Sequence, residues 1–504
     1  MPKLSKYVLL PIKALDTSGP SPFIDDRATP DCQNIRIRRT EVKKREGFTV
    51  MGSSASGMVQ YIIEHQRGGA RKLCRITTKK FQVWNNSTAT WTDYTGGTDL
   101  QGNDTIPVSA TITKISNKNV LVFTNYVDNI KKWVDEPNDI ADLGGSPPIA
   151  KYLLHFEGYL LAAYIKDGSD IYPERVQWSD TDDPENWTIG SGSNAGYNGL
   201  QDGYEITGLA RLVDLVVVCK EGSIWNGYLT GDSRIFQFEQ MESKMGFLVG
   251  NTVKNIPGNR LIGLSKHGII TYNGRSASMV AYGILDDIRD YVNPQYVARS
   301  FGVVVSELNE YWLFIPTIGD YPTIVYKVNY ITGQVHKDTC SNLTAAGLRE
   351  QLEPTTINSL TNTINSYTGV FNHVLRTSLY PAVIVGDKDG YCYKFDYNSK
   401  NDNGTAIDAY WCSKDYAPQL GRYCSWVQLD FEAYGDSVDV YYSTDEGQNY
   451  TLVDNVTLSS TVSKHTLYFD VLSEKLRIKF VNSNSGETFT LRDFTLWYIP
   501  REEK

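Results

Sequence analysis

Two stretches decide the fold, LVVVCKEGSIW at residues 215–225 and LIGLSKHGIITY at residues 261–272. Each reads as an apolar strand, a short turn holding Lys and Gly, and a second strand that ends in an aromatic residue. Glycine supplies the backbone freedom such a turn needs. Upstream the same unit recurs three times. Lys72 to Ile76 leads through Thr78, Lys79 and Lys80 to Phe81, Val83 and Trp84; Val120 to Phe123 leads to Ile130 and Trp133; Tyr159 to Tyr164 leads, after a longer loop, to Val176 and Trp178. Downstream, Tyr311 to Ile315 precedes Ile324 to Tyr326, and Ala382 to Val385 precedes Asp389, Gly390 and the run Tyr391 to Phe395.

The aromatic residues at 84, 133, 178, 225, 272 and 326 are separated by 49, 45, 47, 47 and 54 residues. That spacing is close to the roughly 40–50 residues of a four-stranded propeller blade. One small twisted sheet cannot cover both of its faces, but radial stacking buries each blade against its neighbours and leaves short, protected edges. Any all-β protein shows strand pairs at some spacing. Five consecutive intervals this similar favour a propeller over a string of sandwiches. The sequence therefore predicts an all-β protein, a β-propeller of six or seven blades over residues 60–403.

Two segments break the rhythm. Between Gly283 and Tyr291, Ile284, Leu285, Ile288 and Tyr291 fall at helical spacing with Asp286 and Asp287 near the start, which predicts a short inserted helix. The polar, Thr- and Asn-rich stretch from Ser341 to Phe371, around Leu343, Leu348 and Leu352, predicts an excursion from a blade edge. After the Asn-rich residues 398–403 the pattern changes to longer alternating strands: Val438 to Tyr442, Thr466 to Val471, Lys475 to Val481 and Phe489 to Tyr498. These predict a C-terminal β-sandwich at 404–504. Residues 1–59 are expected to be an extended or stranded segment joining the propeller or a neighbouring subunit.

The composition fits this reading. A chain of 504 residues with 33 Tyr and 10 Trp has the aromatic content suited to pleated, half-buried surfaces. The net charge is −9 and the 49 basic residues are scattered, so the stripe expected of tight duplex binding is missing. The densest basic run, Arg36, Arg38, Arg39, Lys43, Lys44 and Arg45, alternates with Ile35, Ile37 and Val42 and is expected to be a solvated or subunit-facing strand pair. Seven cysteines include no C-x-x-C. Cys74, Cys219 and Cys392 sit in apolar runs and are expected to be buried; Cys412 and Cys424 could meet across a hairpin. The apolar run Tyr7 to Ile12, broken by Pro11, is too short for a signal-peptide core or a membrane span. Reduced thiols in a cytosol are expected.

Chemistry-bearing motifs are sparse. Ser443-Thr444-Asp445-Glu446-Gly447-Gln448-Asn449-Tyr450 resembles an Asp-box hairpin, whose Ser and Asp side chains bond turn amides and whose terminal aromatic packs beneath. It is expected to stabilise a turn, and the arginine cluster, tyrosine and acid that a sialidase would add form no recognisable motif. The acidic stretch Ser179 to Trp187 lacks the glycine and distal glutamate of a calcium loop and is expected to be a solvated interblade loop. The histidines at 65, 155, 267, 336, 373 and 465 are isolated from one another. No phosphate loop, dinucleotide fingerprint or nucleophile elbow is present. No residue is assigned a catalytic, cofactor-binding or metal-ligating role, and the chain is expected not to be an enzyme.

Several stretches together resemble the tail hub or nozzle proteins of short-tailed bacteriophages, a group that includes packaged-DNA stabilisation proteins. They are Pro30 to Arg36 with Lys44 to Phe48; Val176 to Asp180 with Asp183 to Trp187; Ile206 to Leu209 through Trp225; Leu264 to Ile269; Asp286 to Arg289; and Tyr311 to Pro316. The resemblance spans about residues 30–330 and implies a propeller protomer, six to a homo-oligomeric ring beneath the portal and its adaptor, in the tail of a virion made in a bacterial cytoplasm. It implies contacts with portal-adaptor proteins and tail fibres, and genomic DNA passing the lumen without sequence-specific binding. An acidic protein suits such a conduit, because many Lys or Arg contacts would hold the duplex rather than let it slide. A lumen poor in basic clusters is expected, with the Ser341 to Phe371 excursion as a constriction or fibre-docking arm. Two other readings are a polysaccharide-binding or glycan-cleaving propeller and a generic interaction scaffold.

Overall fold

The computed structural model describes residues 5–9, 14–38, 41–354, 374–376, 380–418 and 421–501. Among the described residues, seven four-stranded antiparallel sheets follow one another along the chain as the blades of a propeller. Blade one runs from Val59 to Asp93, blade two from Ser109 to Asp142, blade three from Ile149 to Gly199 and blade four from Ile206 to Glu242. Blade five runs from Lys254 to Val280 and blade six from Phe301 to Thr339. Blade seven takes its first three strands from Leu343–Arg349, Ala382–Asp387 and Cys392–Asp396, and its outermost strand, Gly47–Val50, from the other end of the chain. Phe48 pairs with Phe395 there, so the N-terminal segment closes the ring.

The repeat seen in the sequence is the second and third strand of each blade. Their apolar runs are continuous because both faces are buried, and alternate residues go to opposite neighbours. Val216 and Val218 pack into the interface with blade three, whereas Val217 and Cys219 pack into the interface with blade five. Leu161 and Ala163 face blade four; Leu160 and Ala162 face blade two. Tyr311, Leu313 and Ile315 face blade five, while Trp312 and Phe314 face blade seven. Each pair of adjacent blades thus shares one apolar cluster, and the cluster of Val59, Leu73, Ala345 and Ile384 joins blade seven back to blade one.

The C-terminal unit is a two-sheet sandwich. In one sheet Cys424–Gly435 lies between Phe489–Pro500 and Ser463–Ser473; in the other, Arg477–Asn482 lies between Ala409–Cys412 and Ser437–Ser443. N-terminal strands extend both sheets. Ile35–Arg38 and Glu41–Lys44 join the first sheet beside Phe489–Pro500, and Cys32–Gln33 joins the second beside Ala409–Cys412. The sandwich core is continuous with the interface of blades five and six, where Trp411, Phe480 and Phe494 share a cluster with Ile262, Leu313 and Tyr326. The helix expected near residue 284 spans Leu285–Tyr291 and buries Ile288 in the same cluster. Among the described residues no helix is long and apolar enough to cross a membrane, and residues 10–12 of the N-terminal apolar run lie outside them.

Two expectations change and one open question is answered. Leu343–Arg349 is the innermost strand of blade seven, not part of an excursion; its small residues Ala345 and Gly347 let it approach blade one, where a Cβ on Gly347 would lie 2.4 Å from the Ile62 carbonyl oxygen. The excursion instead leaves after Arg349 through the paired strands Leu352–Pro354 and Val374–Arg376, and its residues 355–371 lie outside the described residues. The propeller also begins before residue 60, at Gly47, while the sandwich reaches back to Cys32. Finally, Cys412 and Cys424 are free thiols in opposite sheets of the sandwich.

Candidate functional site

The basic run at residues 36–45 builds the joint between propeller and sandwich, and its core is buried rather than solvated. Arg36, Lys44 and Arg45 are each at most 5% exposed, and Arg39 lies outside the described residues. Alternating charge in a strand pair normally marks a wet face, but here acidic partners arrive from distant sequence. Arg45 donates to both Asp402 carboxylate oxygens at 2.9 and 2.6 Å, to the Asn34 side-chain oxygen at 2.9 Å, and lies 3.6 Å from Asp338. Arg36 pairs with Glu46 at 2.9 Å. The Lys44 ammonium donates to the Asn482 side chain at 2.7 Å and the Asn484 carbonyl at 2.9 Å. Burial pushes the Lys44 amine down to about 8.

Blade six supplies the rest of this network. Lys327 pairs with Asp338 and lies 3.9 Å from the centre of the Trp312 ring, whose indole N–H donates to Glu310 at 2.7 Å. Burial alone would raise the Asp338 carboxyl, but Lys327 and Arg45 outweigh it and hold it below its ordinary value. Burial lowers the His336 imidazole, with Glu310 and Asp338 opposing and Lys327 and Arg36 reinforcing the shift. Among the described residues His336 Nε2 has no hydrogen-bond partner. Beside the joint is a cavity of about 290 Å³, lined by Arg45, Asp402, Asp387 and Tyr393 among others. Asp387 is already committed there, accepting from the Tyr391 amide at 2.8 Å and the Tyr393 hydroxyl at 2.9 Å.

Near the starts of the innermost strands, Met58, Gln60, Asp104, Arg299 and Thr344 surround about 20 Å³, room for roughly one water molecule. Gln60 spans the gap to the Asn103 and Ile106 carbonyls at 2.6 and 3.1 Å, and Arg299 is tied to Asp320 at 3.0 Å.

The other candidate motifs are local. In the Asp-box-like turn, the Ser443 hydroxyl accepts from the Gly447 amide at 2.9 Å and donates to Asp445 at 2.7 Å; Asp445 accepts from the Asn449 amide at 2.9 Å. Gly447 has φ +87°, the conformation the turn requires of glycine. These bonds hold Asp445 down at about 2. In the acidic loop, Asp180 accepts from the Thr181 and Asn194 amides at 2.8 and 2.9 Å and from the Asn186 side chain at 3.1 Å, while Trp187 is buried. The loop is therefore tied down by its own acid. His65 packs edge-on to Trp133, His155 bonds Thr113 at 3.1 Å, and His465 stacks on Phe431. His267 is exposed and His373 lies outside the described residues. Among the described residues no three His, Cys, Asp or Glu side chains converge to hold a metal.

Fold and joint together define a seven-bladed β-propeller with a β-sandwich fused to its rim. No family model matches the sequence, and no curated protein matches it. Among solved structures, the chain is similar to the Neurospora crassa Pan2 WD40 domain, with TM-score 0.37 and 8% identity over 69% of this chain and 95% of that one. It is also similar to an exo-beta-1,3-galactanase from Phanerochaete chrysosporium, with TM-score 0.27 and 12% identity over 89% and 100% of the two chains. A family 29 carbohydrate-binding module matches with TM-score 0.15 and 14% identity over 23% and 69%. Likenesses this distant carry no argument about function.

Proposed function

We propose that this chain is a structural protein that works by assembly, and specifically a ring-forming component of a short-tailed phage tail. The observation that carries the reading is the joint. Buried ion pairs and a continuous apolar core fasten the sandwich to the propeller at blades five and six. Much of the sequence resemblance falls on this architecture: residues 30–36 and 44–48 form the joint and the closing strand, and residues 311–316 lie in the second strand of blade six. In this reading the conduit lies between protomers, with this chain as one stave of a ring. A chain of net charge −9 suits a wall past which DNA slides. In this reading the ring sits below the portal and its adaptor in the virion.

Mass photometry and electron microscopy of the purified chain, alone and with a portal-adaptor complex, test the proposal. A closed ring of several copies is the expected result. A chain that stays monomeric in both conditions overturns it. A second reading, a propeller that binds polysaccharide, is favoured by one observation, an open groove between blades three and four lined by Trp178, Tyr197 and Phe236.

A further inference from the structure

The first sheet of the sandwich ends on Ser463–Ser473, a strand of 11 residues that, among the described residues, pairs only with Cys424–Gly435. The opposite edge of that sheet is occupied: beside Ile35–Arg38 the Asn34 amide donates to the Lys337 carbonyl of blade six at 3.0 Å. An unpaired edge strand offers a row of backbone donors and acceptors, and proteins usually blunt it with proline, a short strand or outward charge. Ser463–Ser473 holds neither proline nor glycine. Residues 462–472 alternate without a break, the even-numbered ones exposed and the odd-numbered ones half-buried toward the core. One register shift opposite Val427 leaves that alternation intact.

The exposed set is apolar at both ends and charged between. Val462 is 44%, Tyr468 76% and Leu472 59% exposed, with Lys464, Thr466 and Asp470 on the same face. Lys464 leans on Asp430 at 3.2 Å. Asp430 also accepts from Gln428, Thr466 and Trp497, so it keeps partners when Lys464 turns outward. Lys464 and Asp470 carry opposite signs, and such an edge rejects strands that do not match it and fits one that does.

A second copy of the strand laid antiparallel beside the first meets it in reverse order, with opposite residues on the same face. When Leu467 lies opposite its own copy, Lys464 faces Asp470, Val462 faces Leu472 and Thr466 faces Tyr468. Each pair occurs twice about the twofold axis of such an isologous contact. Sliding the copy by two residues sets Lys464 opposite Leu472 or Tyr468, and Asp470 opposite Thr466 or Val462. We infer that Ser463–Ser473 is a dimerisation edge, which pairs antiparallel with the same strand of a second copy in the register centred on Leu467. Self-complementarity in charge and in apolar surface singles out a second copy over an unrelated strand. The inference is independent of the ring reading, because a ring closes through unlike surfaces; whatever ring those build, this edge doubles the number of copies.

Light scattering of the full chain over a concentration series tests it, with Lys464→Asp, Asp470→Lys, the double exchange and Leu472→Lys alongside. The wild type should carry twice the copies of either single reversal. Each reversal sets like charges opposite one another at both symmetric positions and should weaken the association at least ~10-fold. Leu472→Lys, which leaves the charged pairs in place, should weaken it as well. The double exchange puts opposite charges back across the edge and should restore the wild-type mass. A wild type no heavier than the single variants overturns the inference. So does a mass that falls in both reversals and stays low in the double exchange, because the charges then act without facing each other.

Discussion

Lys327→Met tests whether the buried charges at the joint are balanced as the structure shows them. Methionine keeps an unbranched stem of similar length against Trp312 but removes the ammonium. Asp338, 2% exposed, is then left with Arg45 at 3.6 Å as its nearest cation. Removing one partner of a buried pair typically costs ~3–5 kcal/mol, because the remaining charge is uncompensated. If the cost falls on local opening of blade six, the amides of Val325 and Val328, in the strand that carries Lys327, should exchange with deuterium ~10²–10⁴-fold faster. The double variant Lys327→Met/Asp338→Leu removes both charges while Arg45 keeps Asp402, and should restore most of the protection. The pH dependence has a definite sign. In the wild type the Asp338 carboxyl is held below its unfolded value of about 3.9, so its stabilisation is present above that value and is lost as pH falls through the folded one. Without Lys327 the folded carboxyl rises, protonates earlier, and the gap between variant and wild type narrows on acidification. Exchange at wild-type rates at neutral pH, or a gap that widens as pH falls, refutes the reasoning.

Other perturbations probe separate parts of the chain. Replacing residues 355–373 by an Asn-Gly turn joins Pro354 to Val374, which already face each other in register, so the thermal melting of the propeller should be unchanged. His336→Leu should flatten the stability profile below pH ~6.5. The folded imidazole is held below that unfolded value, so the wild type loses stability as pH falls and the unfolded chain takes up the proton first, measurable by comparing melting at pH ~5.5 and ~7.5. Trp133→Ala empties a fully buried site between blades one and two and should cost ~3–5 kcal/mol, seen as faster exchange in those blades with the sandwich unaffected. Ser443→Ala should cost ~1 kcal/mol in the sandwich by removing the acceptor of the Gly447 amide, read from exchange at that amide.

The propeller is legible in the sequence because the second and third strands of a blade are buried on both faces, which writes them as unbroken apolar runs such as Leu215 to Cys219. The first and fourth strands are harder to see. Ser109–Ile115 and Gly196–Gly199 are largely half-buried or exposed, so their composition barely differs from that of loops. Leu343–Arg349 reads as part of an excursion for a related reason: Thr344, Ala345, Ala346 and Gly347 are small because the strand is crowded against blade one, and a small-residue strand resembles a polar connection. Distance hides the joint. Nothing near Arg45 in sequence indicates that Asp338 and Asp402 surround it, and an alternating basic strand on its own is indistinguishable from a wet one. The groove beside Trp178 has a partial signal in that residue and the polar loop after it.

The same short segment, residues 32–50, completes both sandwich sheets and then the last blade, so the two units share one closing element. Ile35 pairs with Lys44 and Arg36 with Lys43, which puts Ile35, Val42 and Lys44 on the core side, where the Lys44 ammonium meets Asn482, and Arg36 on the other side, where it meets Glu46. A slip by one residue would turn Arg36 toward the core and Ile35 away from it. Gly47 fixes the crossing from sandwich to blade, since a Cβ there would lie 1.8 Å from the Asn401 carbonyl oxygen, and its own amide donates to the Ser399 carbonyl at 2.9 Å. Buried ion pairs are weak sources of net stability, and their best-attested use is to specify one arrangement over its neighbours. At this joint they sit where one short segment both extends the two sandwich sheets and closes the propeller.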